Sequence, residues 1–130
     1  MSEMLDTEIV SIYTMISEYH AKYLADKGVT LPTLKDKQGK YTKDALVLVR
    51  LAKNYPDTDT ISKKDLTVFM STFYKDTVDV QQQRHLSMQK GWNIASGTRG
   101  DILPNGEKLA SGSYKLVDLE SVYSAFRLDI

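Results

Sequence analysis

The chain has 130 residues, 17 of them basic and 17 acidic, so its formal net charge is zero. It contains no cysteine, which excludes disulfides, thiolate chemistry and zinc fingers. No apolar run reaches the roughly 18 residues of a membrane helix, and the start MSEMLDTEIV lacks the basic and apolar regions of a signal peptide. A cytoplasmic protein with no membrane partner is expected. Zero net charge argues against a protein that coats nucleic acid by bulk charge.

Leu5, Ile9, Ile12, Tyr13, Ile16, Tyr19, Tyr23 and Leu24 recur mostly at spacings of three and four, which predicts a long helix over about 6–26. Thr7 or Asp6 caps its start, and Lys27-Gly28 ends it. Its aromatic stripe must pack on the rest of the chain or on a second copy. Residues 29–41 are a lysine-bearing connector with a proline and a glycine. Thr42 opens a helix over about 43–54 that is apolar nearly all round, the mark of a core helix. It ends before Pro56, which disfavours helix in the residue preceding it.

Ser62 caps a third helix over about 63–73, with Asp65 three residues on and Ile61 in the staple position. Leu66, Phe69, Met70 and Phe73 form its buried face. Asp79 or Thr77 caps a fourth helix over about 79–90, stopped by Lys90-Gly91. Residues 92–96 alternate apolar and polar and read as a strand. A glycine-rich loop over 97–112 leads to a second strand at 114–117. Asp118 caps a short helix within 118–127.

Charge is segregated along this order. The net values are −3 over 1–34, +4 over 35–55, −2 over 56–79, +3 over 80–115 and −2 over 116–130. The fold class expected is α+β, mainly helical with a small β-hairpin. Helix, turn, helix, turn, helix and hairpin over 42–117 is the layout of a winged helix-turn-helix, here with an extra long N-terminal helix. Residues 1–30 are then a helical extension and 31–130 the winged-helix unit, the two forming one compact body.

In that layout 79–90 is the recognition helix. Gln81, Gln82, Arg84 or His85, Ser87 and Lys90 stay outside when Val80 and Leu86 face the core. Gln pairs bidentately with adenine and Arg with guanine, while Ser and Lys hold phosphates or base edges. No carboxylate stands between Asp79 and Asp101 to repel phosphate. The wing, 96–113, adds Thr98, Arg99 and Lys108, with Arg99 at the tip reaching phosphate or the minor groove. His85 either points outward or packs against Trp92. Lys35, Lys37, Lys40 and Lys43 flank the same surface or are simply solvated.

The two histidines, His20 and His85, stand on separate helices, with no HExxH pair. Pro56-Asp57 lacks the following acid-x-Lys of a nuclease. No acid–base pair appears, so neither enzymatic activity nor a cofactor is expected in these residues.

The run DVQQQRHLSMQKGWNIASGTRGD at 79–101, preceded by TKDALVLVRLAKNYP and ISKKDLTVFM, resembles the N-terminal winged-helix DNA-recognition domains of bacterial type II restriction endonucleases. The resemblance spans roughly 31–118. It implies that Gln81, Gln82, Arg84, His85, Lys90 and Arg99 match the DNA-facing motif. It also implies a separate nuclease domain, which this chain does not carry. The expected function is sequence-specific binding of double-stranded DNA. The alternative is a protein–protein or homodimerisation module working through the N-terminal helix, with Ile9 and Ile16 at the contact.

Overall fold

The structure, a computed structural model, describes residues 5–73, 85–124 and 126. Its described part is α+β: four helical segments, the first of them long, and a three-stranded antiparallel sheet. The first segment runs unbroken as α1 (Asp6–Tyr19), a π-helical turn (His20–Leu24) and a 3-10 turn (Ala25–Lys27). Leu5 stands at its N-cap and makes no side-chain cap, so neither Thr7 nor Asp6 fills that role. Asp6 and Glu8 instead place negative charge in the first turn, where the helix dipole favours it. Gly28 ends the segment at φ 83°, a left-handed conformation that glycine adopts without strain.

α2 (Lys43–Ala52) is the centre of the molecule. Every residue from 45 to 52 is buried. The Thr42 hydroxyl oxygen accepts from the Ala45 amide at 3.3 Å and donates to the Thr33 carbonyl at 2.5 Å. One side chain thus starts the helix and ties down the connector. The helix stops at Ala52, before the residues nearest Pro56, because the backbone turns at Lys53 and Asn54 takes φ 66°. Asparagine tolerates that left-handed region better than most residues.

α1 packs along α2, with Ile9, Ile16 and Leu24 fully buried in one cluster with Leu46, Leu48 and Leu51. Each fully buried aliphatic side chain contributes about 1.5–3 kcal/mol relative to exposure. Ile9, Ile16 and Leu24 are therefore covered by the chain itself, whereas Leu5 at the start of the stripe stays exposed.

β1 (Ile61–Ser62) leads directly into α3 (Lys63–Ser71), and Ser62 serves both elements. It pairs with Ser113, and its Oγ accepts from the Asp65 amide at 3.1 Å as helix cap. β2 (Ile94–Ser96) and β3 (Ser113–Leu116) form the expected hairpin, with Ile94 opposite Leu116 and Ser96 opposite Tyr114. The sheet order is β1-β3-β2, so the hairpin gains a third strand from the stretch that precedes α3.

Residues 118–124 are not the helix their spacing suggests. Asp118 caps a turn, its Oδ1 accepting from the Glu120 and Ser121 amides. Leu119 and Tyr123 are buried where this bent stretch meets the rest of the molecule, with the Tyr123 amide donating to the Gly91 carbonyl and Val122 bridging to Trp92.

Candidate nucleic-acid interface

Residues 85–92 hold the end of the proposed reading segment. His85–Gln89 is a π-helical turn anchored by Leu86, which is fully buried. The Lys90 amide donates to the His85 carbonyl at 3.0 Å, and the Trp92 amide to the Leu86 carbonyl at 2.9 Å. Gly91 permits this reversal at φ 95°. A Cβ there would also meet Val29 Cγ2 at 2.9 Å, so two constraints select glycine.

Trp92 is buried and its Nε1 donates to the Thr30 carbonyl at 2.8 Å, while the Thr30 amide donates to the Lys90 carbonyl at 3.0 Å. The histidine against Trp92 is His20, with ring centroids 5.9 Å apart, and not His85, which is exposed. His20 Nε2 lies 2.7 Å from the Val29 carbonyl, which requires the ring to carry its proton there. The segment is thus fastened on one side by the connector and on the other by residues 122–123.

The candidate contact residues divide sharply in this frame. Gln81, Gln82 and Arg84 lie outside the described residues. His85, Thr98 and Lys108 are exposed. Ser87 is not available to a base or phosphate: it is fully buried, and its Oγ accepts from Arg99 Nη2 at 3.1 Å. Lys90 is paired with Asp44 in the first turn of α2 at 2.8 Å, so it staples the end of the segment to the core helix. Both partners are about a quarter exposed, and such a pair contributes at most about 1 kcal/mol.

Arg99 turns inward instead of standing at the wing tip. Its Nε donates to the Tyr123 hydroxyl at 3.1 Å, and Nη2 also donates to the Ile94 carbonyl at 3.3 Å. Its Cζ lies 5.1 Å from the centre of the Tyr123 ring. Asp101 Oδ2 is 3.6 Å from Nε and accepts from the Ser96 amide at 2.8 Å. The Tyr123 hydroxyl donates to Asp101 at 2.9 Å. Burial and that bond to a carboxylate push the Tyr123 phenol above its ordinary value. Asp101 and Tyr123 were not marked by the sequence pattern.

The outer part of the loop folds on itself. Ile102 bridges to Lys108, the Leu103 amide donates to the Glu107 carbonyl at 2.8 Å, and Asn105 Oδ1 accepts from the Glu107 amide at 3.0 Å. The Thr98 hydroxyl accepts from the Gly112 amide at 2.9 Å. At the base of the loop, a Cβ on Gly97 would fall 1.9 Å from the Ala110 carbonyl oxygen. Only glycine lets the two arms approach this closely.

Two of the connector's lysines, Lys35 and Lys40, line a cleft. This open cleft of about 280 Å³ is lined by Asp6, Lys35, Gly39, Lys40, Tyr41 and Phe73. Lys35 Nζ sits 5.1 Å from the centre of the Tyr41 ring, and the Tyr41 hydroxyl donates to Asp6 at 2.7 Å. Burial first, and then the Asp6 carboxylate, push the Tyr41 phenol up to about 12.

Among the described residues no group of three or more His, Asp or Glu is placed to hold a metal ion, and no helix is long and apolar enough to cross a membrane. Comparison of the chain with family models, curated proteins and solved structures finds no match.

Proposed function

We propose that the chain is a winged-helix module that binds double-stranded DNA in a sequence-specific way. In this reading, segment 79–90 enters the major groove and the loop between β2 and β3 lies along the backbone or minor groove. The module is the DNA-recognition part of a restriction-endonuclease-like protein. The observation that carries the reading is the order α2, β1, α3, the turn at 85–89 and the β2–β3 hairpin, combined with the sheet order β1-β3-β2. That arrangement leaves the end of 79–90 and the hairpin loop adjacent, joined through Ser87 and Arg99. The carboxylate-free stretch from 80 to 100 supports it electrostatically.

The contacting set is narrower than residue type alone suggests. Gln81, Gln82, Arg84 and His85 are the proposed base readers, with Thr98 and Lys108 on phosphate. Lys90 and Ser87 hold the segment from behind. Selection of random duplexes by the purified protein tests the reading and should enrich one motif. Arg84→Ala should then cost about 1–3 kcal/mol on that motif and relax its specificity. Lys108→Ala should weaken all duplexes alike and lower the salt slope by about one. Absence of duplex binding by anisotropy at low salt would overturn the reading.

A further inference from the structure

We propose that Arg99 is a positioning residue that makes the 85–89 turn, the β2–β3 loop and the 118–124 stretch one rigid reading unit. Base selectivity then depends on its guanidinium although Arg99 does not touch the nucleic acid. The inference rests on the DNA-binding reading and deepens it.

The argument starts from what the guanidinium joins. Ser87 is 12 residues before Arg99 in the chain and Tyr123 is 24 after it, yet both oxygens accept from this one side chain at 3.1 Å. A third bond, at 3.3 Å, goes to the Ile94 carbonyl at the start of β2. The exposed residues lie right beside these anchors. His85 is two positions before Ser87, and Thr98 immediately precedes Arg99. The spacing of the turn relative to the loop is therefore set by the fork of Arg99.

Its charge is already answered. Asp101 stands 3.6 Å from Nε and is itself held by Tyr123 and the Ser96 amide. A cation so paired adds little attraction for phosphate. Its contribution is directional, and a lysine ammonium cannot reproduce it, since one point charge cannot bond three acceptors in a plane.

Arg99→Lys and Tyr123→Phe separate this role from a phosphate contact. Lysine keeps the charge and loses the fork. Phenylalanine keeps the ring and removes the hydroxyl between Arg99 and Asp101. Each variant is compared with wild type on the selected duplex and on a scrambled duplex at two salt concentrations, with the unfolding midpoint recorded. Amide exchange at 85–91 is followed without DNA.

Both variants should lose about tenfold on the selected duplex, the scale of a lost charge-assisted hydrogen bond. They should change by less than about twofold on the scrambled one, with the salt slope unchanged. Exchange of the Lys90 and Gly91 amides should accelerate, and the double variant should be no worse than the poorer single one. Wild-type selectivity in Arg99→Lys overturns the proposal. So does an equal loss on both duplexes with a smaller salt slope, which marks a direct phosphate contact. Unchanged exchange at 85–91 overturns it whether or not DNA binds. Failure of the wild-type chain to bind any duplex instead overturns the DNA-binding reading.

Discussion

α2 and the loop from 97 to 112 hold their places by different means. In α2 every residue from 45 to 52 is buried, whereas in the loop only Leu103 is. The helix is secured by area, which is non-directional and distributed over many contacts. The loop is secured by a few directed bonds and one close backbone approach, where small changes in geometry matter. A residue's chemical type therefore says little about its job until the kind of region it occupies is known. Arg99 shows this: its charge suggests a phosphate contact, and its surroundings make it a brace.

The largest expected effect lies in the helix. Leu48→Ala removes a fully buried side chain and should cost about 2–5 kcal/mol, read as a lower midpoint in chemical denaturation with unfolding still cooperative. A loss below about 1 kcal/mol would mean the helix is not the packed centre described here.

Gly97→Ala tests the loop. The added methyl meets backbone that has no rotamer to escape into, so about 1–3 kcal/mol is expected. Its signature should be local. Exchange should rise at the Gly97 amide, which donates to the Ser113 carbonyl at 2.9 Å, before the helices are affected. Uniform loosening of α2 and the hairpin together would erase the distinction between the two regions.

The smallest effect concerns the cleft beside the connector. The Tyr41 phenol is raised from 10.0 to about 12 in the folded chain, so folding favours its protonated form. The associated stability is complete below pH 10 and is lost as pH rises toward 12. Tyr55 and Tyr123 are raised in the same direction, so alkaline unfolding should be only partly flattened in Tyr41→Phe. A stability profile over pH 9–12 that is identical in wild type and variant would remove Tyr41 from that set.

Local signals were legible in the sequence because their physics is local. The Thr42 and Ser62 caps and the glycine stops at Gly28 and Gly91 all follow from residues within a few positions of one another. What depended on distant partners was not. β1 is two residues long and exists through its pairing with β3, which no periodicity announces. Leu119 and Tyr123 stand four apart like helix neighbours, yet each answers to a separate place, Tyr55 and Gly91. The same limit applies to the candidate site. Exposed His85, Thr98 and Lys108 agree with a polar outer surface, but Ser87, Lys90 and Arg99 are claimed by Arg99, Asp44 and Tyr123, whose approach only the fold reveals.

Trp92 is the one tryptophan in the chain, and two partners of its indole ring come from the N-terminal helix and its connector: the His20 ring and the Thr30 carbonyl. Lifting residues 6–30 off the core would remove both at once and wet the indole. The molecule thus carries an intrinsic optical gauge at the junction of its first helix with β2. Its emission colour distinguishes a seated N-terminal helix from a detached one without any label.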